Sequence, residues 1–257
     1  MVDKGMHDLS GRVALITGGG YGMGRSMCEV MAEYGADVAI ADINVERAQE
    51  TSKLIAKFGH RILTIKTDVS NSREVEHMVN ETVAKLGTID ILVNNAGFVI
   101  DDSRIHEMKE EIWDKTMAVN LRGVFLCTRA VLPVMMKQKR GSIINMASIA
   151  GMLSGVRTAA YGVSKAGVIN FTKRTAAEYA LDGIRANAIA PGQIGGTDFA
   201  AGLMKNIPPE ETAKRMARIP MGRAGRPDEI KGIALYLASD ASSYATGQVF
   251  VIDAGIS

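Results

Sequence analysis

A glycine-rich turn between two apolar runs constrains the fold of this chain more than any other feature. Residues 12–17 are apolar and rich in branched side chains, and a glycine-rich turn follows at residues 18–24. A helical pattern comes next, and a second apolar run covers residues 36–41. In a strand–turn–helix unit of this kind, glycines let backbone N–H groups approach a pyrophosphate, whose charge the helix N-terminus favours. The segment therefore predicts a βαβ unit that binds a dinucleotide.

Asp42 stands at the end of the second predicted strand. A carboxylate at this place can accept hydrogen bonds from the adenosine ribose hydroxyls, and it would repel a 2′-phosphate. Arg47 lies close by in sequence and leaves NADP open as the alternative. The position of the carboxylate favours NAD over NADP.

Tyr161 and Lys165 are four residues apart in a helical pattern, and Ser148 precedes them at a predicted strand–loop junction. Side chains at positions i and i+4 of a helix are neighbours. An ammonium about 6 Å from a phenol stabilises the phenolate by roughly 3 kcal/mol at an effective dielectric constant of about 20, which is about two pKa units. We therefore predict that Lys165 lowers the pKa of Tyr161, and that this phenol exchanges protons with an alcohol or a carbonyl.

Five further apolar runs follow the first two. They cover residues 62–66, 89–93, 142–146, 186–190 and 248–252, and helical stretches separate them. Strands that alternate with helices are typical of a parallel sheet with crossover connections. No linker, repeat or low-complexity segment divides the 257 residues. The predicted fold class is α/β, with one Rossmann domain over residues 1–257 whose doubly wound parallel sheet of seven strands is flanked by helices.

Composition excludes several other classes of protein. The net charge of +2 gives no electrostatic case for binding nucleic acid or an anionic membrane. No run approaches the roughly 20 apolar residues of a membrane helix, and the polar N-terminus lacks a signal-peptide pattern. Cys28 and Cys127 lie in apolar helical contexts, as buried thiols of a reducing compartment do, and the histidines show no metal-ligand spacing. We therefore expect a cytoplasmic protein with no metal site and no nucleic-acid or membrane partner.

With these features, the chain resembles the short-chain dehydrogenase/reductase family over nearly its whole length. The matching segments occur in the family's order and are Thr17-Gly-Gly-Gly-Tyr-Gly-Met-Gly24, Asp68-Val69, Asn94-Asn-Ala-Gly97, Asn120, Ser148, Tyr161-x-x-x-Lys165 and Pro191-Gly192. The resemblance implies an NAD(P)-dependent oxidoreductase that interconverts a small-molecule alcohol and its carbonyl form by hydride transfer. It also implies a homotetramer, in which the two long helices pack across a two-fold axis.

The resemblance further implies four catalytic residues and a cofactor site. Tyr161 would be the general acid and base, Ser148 would hydrogen-bond the reacting oxygen, and Lys165 would lower the Tyr161 pKa and hold the nicotinamide ribose. Asn120 would interrupt its helix and hold a water that connects Lys165 to solvent. The expected cofactor contacts are Gly18, Tyr21, Gly22, Met23, Gly24, Asp42, Ile43, Asp68, Val69, Asn94, Ala96, Gly97, Tyr161, Lys165, Pro191, Gly192, Ile194 and Thr197. Many NADP-dependent members carry a basic residue where this chain has Tyr21, which again favours NAD.

The family places a mobile lid over the substrate, and we expect it at about residues 194–220, where two prolines interrupt a helical pattern. The expected substrate contacts are Ser148, Met152, Leu153, Tyr161, Gln193, Phe199 and Leu203. Most of these side chains are apolar, which favours a neutral secondary alcohol or ketone, hydrophobic or cyclic.

Three alternatives remain open. The first is an NADP-dependent 3-oxoacyl-(acyl-carrier-protein) reductase. By our alignment, Leu126 and Ala177 stand where such relatives carry two arginines that dock the acidic carrier, which counts against this alternative. The second is a sugar dehydrogenase. The third is a regulatory protein that binds NAD without turnover, although such relatives usually lose the tyrosine or the lysine.

Overall fold

The computed structural model describes residues 5–99, 103–153, 159–197, 210, 214 and 216–257. Its strands are β1 (Val13–Thr17), β2 (Asp37–Asp42), β3 (Ile62–Lys66), β4 (Ile91–Asn94), β5 (Gly141–Met146), β6 (Ile184–Pro191) and β7 (Val249–Ile252). They form one seven-stranded parallel sheet in the order β3-β2-β1-β4-β5-β6-β7. The predicted fold class and the seven strands are confirmed, and the predicted strand ends differ from the observed ones by at most two residues.

The sheet consists of two halves, and the first strand of each half, β1 or β4, lies in the middle of the sheet. The first three strands are added outward in one direction, and β4 then returns to lie beside β1. Thr17 and Asn94 are aligned partners at the carboxyl ends of β1 and β4. A crevice opens outside the sheet where the strand order reverses in this way, and doubly wound folds bind their ligands there.

Helices cover both faces of the sheet. The described α-helices are α1 (Gly22–Glu33), α2 (Val45–Ile55), α3 (Ser72–Leu86), α4 (Glu110–Met117), α5 (Gly123–Gln138), α6 (Ala159–Tyr179) and α7 (Lys231–Ala238). In β1, Ala14 and Ile16 pack in the cluster with α1 and α7, whereas Val13 and Leu15 pack in the cluster with α3 and α5. Because both faces are buried, the strands are mostly apolar and do not alternate regularly with polar residues.

The two cysteines lie within these core layers. Cys28 and Cys127 are 0% and 1% exposed and form no disulfide, so the prediction of buried thiols is confirmed. Burial raises the pKa of the Cys127 thiol to about 12 and raises that of Cys28 as well. Both thiols therefore stay protonated and unreactive at neutral pH.

One long helix is formed by α4, a π-helical turn at Ala118–Arg122, and α5. By length and composition alone, Glu110–Gln138 is apolar enough to cross a membrane, which the sequence analysis did not anticipate. Half of its most apolar window is buried inside the protein, where α5 packs on α3, β4 and β5. The core helices of globular proteins meet the same criterion, so the helix is weak evidence for a membrane span.

Candidate active site

The glycine turn joins β1 to α1 in a conformation that side chains would prevent at two positions. Gly18 has a φ of +63°, and a Cβ on it would lie 2.9 Å from Ala96 Cα. A Cβ on Gly24 would lie only 2.0 Å from the Gly18 carbonyl oxygen. Tyr21 occupies the N-cap position of α1 and makes no capping hydrogen bond with its side chain. The first turn of α1 therefore suits an anionic ligand such as a pyrophosphate, because its N–H groups need acceptors.

The segment after β6 reaches the same end of α1. A Cβ on Gly22 would lie 3.0 Å from Thr197 Cγ2, so the side chain of Thr197 faces the glycine turn. Met23 is partly buried and packs against the core cluster beneath α1. The structure thus brings together parts of the predicted cofactor site that are far apart in sequence.

Asp42 ends β2 beside the glycine turn. Its Oδ2 accepts a hydrogen bond from the Gly20 N–H at 2.9 Å, and its Oδ1 accepts one from the Asn44 N–H at 2.9 Å. A carboxylate can accept about four hydrogen bonds, so acceptor capacity remains for ribose hydroxyls. The next residue, Ile43, is 65% exposed at the rim of the crevice.

Thr17 and Asn95 connect the glycine turn to the segment after β4. Asn95 Nδ2 donates to the carbonyl oxygens of Thr17 at 3.1 Å and Gly18 at 2.9 Å. Thr17 Oγ1 accepts hydrogen bonds from the N–H groups of Asn95 and Ala96. The predicted site residues included neither Thr17 nor Asn95. The one sequence signal that could have identified them is their position inside the matching segments. A hydroxyl and an amide do not by themselves indicate a catalytic or binding role.

The side chain of Asn94 turns into the protein interior. It is 3% exposed, and its Nδ2 donates to Thr128 Oγ1 at 3.1 Å and to Asn145 Oδ1 at 2.8 Å. The amide group therefore ties β4 to β5 and α5. Contact between Asn94 and a cofactor stays a prediction. Such a contact would have to use the backbone of Asn94 or its Oδ1, which has no hydrogen-bond partner among the described residues.

Asn120 lies in the π-helical turn, so the helix is interrupted where the sequence analysis expected it. The residue is fully buried, its Oδ1 accepts a hydrogen bond from the Phe98 N–H at 2.7 Å, and its Nδ2 donates to the Phe98 carbonyl oxygen at 2.8 Å. These bonds fix the segment that follows β4 beside Lys165, because a Cβ on Gly97 would lie 3.9 Å from Lys165 Nζ. The side-chain nitrogen of Asn120 also donates to Ser164 Oγ, so both amide hydrogens are used, and the predicted water would bind the Oδ1 or the backbone of this residue.

Ser148, Tyr161 and Lys165 meet at the carboxyl end of β5, where α6 crosses it. Lys165 is 4% exposed, and its Nζ donates to the Met146 carbonyl oxygen at 2.6 Å. The same Nζ lies 5.6 Å from the centroid of the Tyr161 ring. The side chains of Ser148 and Tyr161 are joined by a hydrogen bond. The structure therefore groups the predicted catalytic residues, while their roles stay predictions.

The electrostatics of this pair differ from the sequence-based prediction. Burial raises the pKa of Tyr161 to about 12, and the hydrogen bond with Ser148 lowers it only in part. Burial also lowers the pKa of Lys165 to about 8. The prediction of a lowered pKa for Tyr161 is therefore wrong for this structure. Loss of hydration disfavours the charged form of each group, so it raises the pKa of the phenol and lowers that of the ammonium.

Asp68 and Val69 follow β3 at the edge of the crevice. Asp68 Oδ1 accepts hydrogen bonds from the N–H and the hydroxyl of Ser70, at 2.9 and 2.7 Å. Val69 packs against the start of α5, since a Cβ on Gly123 would lie 2.8 Å from Val69 Cγ2. The loop is thereby ordered by its own contacts, and the predicted contacts with adenine stay predictions.

The segment after β6 closes back on itself. Ile194 and Gly225 form a parallel β-bridge. The Gly195 N–H donates to the Gly225 carbonyl oxygen at 2.9 Å, and the Gly225 N–H donates to the Gln193 carbonyl oxygen at 2.9 Å. The start of the predicted lid is therefore joined to the chain just beyond its end.

The predicted substrate contacts are only partly described. Met152 and Leu153 follow Ser148 and are 49% and 37% exposed. Phe199 and Leu203 lie outside the described residues. The described part of the substrate site is therefore apolar on the side of Met152 and Leu153.

Comparisons with known proteins cover nearly the whole chain. A family model described as enoyl-(acyl carrier protein) reductase matches residues 18–257. The chain is 40% identical over 248 residues to the 3-oxoacyl-(acyl-carrier-protein) reductase FabG of Thermotoga maritima, which covers 96% of this chain and 98% of that protein. It is 36% identical over 244 residues to the cis-4-hydroxycyclohexanecarboxylate dehydrogenase of Sinomonas cyclohexanicum, with 95% and 96% covered. The crystal structure of a short-chain type dehydrogenase/reductase from Mycobacterium marinum superimposes with a TM-score of 0.93 at 38% identity, over 98% of both chains.

Proposed function

The chain belongs to the short-chain dehydrogenase/reductase family, and we propose that it is an NAD-dependent enzyme that interconverts a neutral secondary alcohol, hydrophobic or cyclic, and its ketone. Its relatives establish an oxidoreductase that acts on CH–OH donors, and the family binds NAD(P). The finer proposal rests on the adenosine end of the cofactor site and on the apolar side chains beside Ser148.

The hydrogen bond from the Gly20 N–H to Asp42 Oδ2 carries the preference for NAD. It holds a carboxylate beside the glycine turn, where the adenosine ribose of a dinucleotide binds. A 2′-phosphate about 5 Å from this carboxylate would meet a repulsion of roughly 3 kcal/mol per unit charge at an effective dielectric constant of about 20. NADP should therefore bind at least about 100-fold more weakly than NAD.

The hydride chemistry is that of the nicotinamide cofactor when it is bound, and the side chains supply the proton transfer, the orientation and the electrostatics. In the oxidative direction, the Tyr161 oxygen takes the proton of the substrate hydroxyl, while Ser148 donates a hydrogen bond to the reacting oxygen. Lys165 holds a positive charge near the phenolate. Asn120 keeps the Phe98 segment, and with it the wall opposite Lys165, in place.

The substrate class is supported by the exposed side chains of Met152 and Leu153. A site with apolar walls and few charges suits a neutral ring or chain. We include in the proposal a lid at about residues 194–220, which the bridge between Ile194 and Gly225 supports because it joins the start of that segment to the chain just beyond its end. Such a lid would exclude water during turnover.

The homotetramer also belongs to the proposal. Phe125 and Met136 of α5 are 43% and 41% exposed, and Phe125 packs edge-on against Phe171 of α6. An apolar face of this kind supports packing against a second copy. Sizing chromatography that gives a monomer would contradict this part of the proposal, and the cytoplasmic location stays a prediction.

A second candidate is an NADP-dependent 3-oxoacyl-(acyl-carrier-protein) reductase, which the 40% identity to FabG of Thermotoga maritima favours. The sequence argument against this candidate is weaker than expected. Leu126 is 3% exposed in the core, so this position is not directed at a partner protein. The missing arginine at Leu126 therefore carries no weight, and the substrate assay has to decide.

The test follows NADH formation with cyclic and aryl-alkyl secondary alcohols, sugars and a 3-hydroxyacyl thioester, and runs NADP in parallel. Selective turnover of a cyclic or aryl-alkyl alcohol with NAD is expected. Asp42→Asn should reduce the preference for NAD over NADP by at least about 100-fold. Asp37→Asn, at the opposite end of the same strand, is the matched control and should leave the preference unchanged. A preference of the wild type for the thioester and NADP would refute the proposal.

A further inference from the structure

Gly20 in the glycine turn is held by side chains from three different elements. Its carbonyl oxygen accepts hydrogen bonds from Arg25 Nε at 3.1 Å, from Arg25 Nη2 at 2.8 Å and from Thr51 Oγ1 at 3.0 Å. Its N–H donates to Asp42 Oδ2 at 2.9 Å. The backbone of one glycine therefore connects α1, α2 and the end of β2.

The position of Arg25 is not explained by helix formation. Arg25 lies in the first turn of α1, where the partial positive charge of the helix end disfavours a cation. Its guanidinium folds back toward the turn, where Arg25 Nε also contacts Thr51 Oγ1 at 3.0 Å and Arg25 Nη2 contacts Glu50 Oε2 at 3.0 Å. Thr51 is 0% exposed in α2. Both side chains donate hydrogen bonds to the Gly20 carbonyl oxygen, which explains why they point toward the turn.

These bonds determine which way a peptide group of the turn faces. The described part of the chain contains no cis peptide bond. The C=O of Gly20 and the N–H of Tyr21 belong to the same trans peptide and therefore point in opposite directions. Because Arg25 and Thr51 draw the carbonyl oxygen toward α2, the Tyr21 N–H points away from α2. If the carbonyl were released, its partial negative charge could turn toward the anion site.

We infer that Arg25 and Thr51 are positioning residues for the cofactor, because they orient the peptide between Gly20 and Tyr21 so that its N–H faces the pyrophosphate. This role rests on the proposed binding of a dinucleotide at the glycine turn. It does not rest on the preference for NAD or on the substrate. Neither side chain is placed near the reacting atoms, so cofactor affinity should depend on these residues while turnover should not.

The experiment measures the Kd of NADH by fluorescence, together with KM for NAD and kcat. Thr51→Val keeps the shape of the side chain and removes its hydroxyl, and Arg25→Met keeps the apolar stem and removes the donors. We expect Thr51→Val to raise Kd and KM about tenfold, as the loss of one hydrogen bond does. Arg25→Met should raise both by about tenfold to 100-fold, and kcat should stay within about twofold in each variant.

Thr82→Val is the matched control. Thr82 is also 0% exposed, and its Oγ1 donates only within its own helix, to the Met78 carbonyl oxygen at 2.7 Å. Its variant should keep the wild-type Kd. Thr51→Ser, which keeps the hydroxyl, should recover tight binding. ADP-ribose carries the pyrophosphate without nicotinamide, so its affinity should fall by the same factor as that of NADH in Thr51→Val.

A folded Thr51→Val protein with the wild-type Kd would overturn the inference. Equal weakening in Thr51→Ser would overturn it too, since packing and not the hydrogen bond would then matter. If Thr51→Val does not fold, tight binding by Thr51→Ser with weak binding by Arg25→Met supports the role, and the reverse refutes it. A wild type that prefers NADPH would refute the NAD proposal, and the same variants measured with NADPH would still decide the role of Arg25 and Thr51.

Discussion

Replacing Lys165 by methionine should change the pH dependence of alcohol oxidation. The pKa of Lys165 is about 8 and that of Tyr161 about 12, so the first proton leaves the lysine. In the proposed mechanism, oxidation requires an ionised Tyr161 beside a protonated Lys165, and this form holds as many protons as the neutral pair. The rate of the wild type should therefore rise up to about pH 8 and then level off.

The size of the effect follows from the same geometry. A gap of about four units between the pKa values of Tyr161 and Lys165 favours the neutral pair by about 10⁴. Lys165 Nζ lies 5.6 Å from the centroid of the Tyr161 ring, and attraction at that distance is worth roughly 3 kcal/mol, or about two units, at an effective dielectric constant of about 20. The active form is then about 1% of the pair above pH 8. In Lys165→Met only about 10⁻⁴ of the phenol is ionised at pH 8, so oxidation at this pH should be about 50-fold slower than in the wild type. The rate of the variant should then rise about tenfold per pH unit to about pH 10.

The assay measures kcat for oxidation from about pH 6 to about pH 10 at saturating NAD, because Lys165 is also expected to hold the nicotinamide ribose. Lys173→Met changes an exposed lysine of the same helix and should keep the wild-type profile. Tyr161→Phe should lose most of the activity at every pH. A wild-type rate that keeps rising through about pH 10, or a Lys165→Met profile that levels off near pH 8, would refute the reasoning.

Two further predictions concern stability. Burial lowers the pKa of Lys165 from 10.5 to about 8, so between these values the unfolded chain binds more protons than the native protein, and the free energy of unfolding should rise with pH. Measured by chemical denaturation, the free energy of unfolding of the wild type should rise with pH by up to about 3 kcal/mol relative to that of Lys165→Met. An equal pH dependence of the free energy of unfolding in both proteins would contradict this prediction. Gly24→Ala should lower Tm and abolish NADH binding, because its Cβ would lie 2.0 Å from the Gly18 carbonyl oxygen. Gly232→Ala is the control, because a Cβ at this position of α7 meets nothing within 4 Å. It should raise the free energy of unfolding by about 0.5–1 kcal/mol. A Gly24→Ala protein with the stability of the Gly232→Ala protein would show that the turn is not tightly packed.

The sequence by itself determined the fold class and the positions of the seven strands along the chain. Seven apolar runs separated by helical patterns predict a doubly wound sheet, because periodicity and turn chemistry are properties of residues close in sequence. The interruption of the long helix at Asn120 and the grouping of Tyr161 with Lys165 were predictable for the same reason, through resemblance and through helical spacing.

Only the tertiary structure decided the electrostatics and the hydrogen bonds between distant segments. The sequence analysis counted the attraction between Tyr161 and Lys165 but could not count their burial, which raises the pKa of Tyr161 and lowers that of Lys165. The bond from Thr51 to the Gly20 carbonyl oxygen joins residues 31 apart in sequence, and no local pattern marks it. The cause is the same in both cases. Desolvation and hydrogen bonding depend on which side chains the folded chain brings together, whereas periodicity depends only on neighbours along the chain.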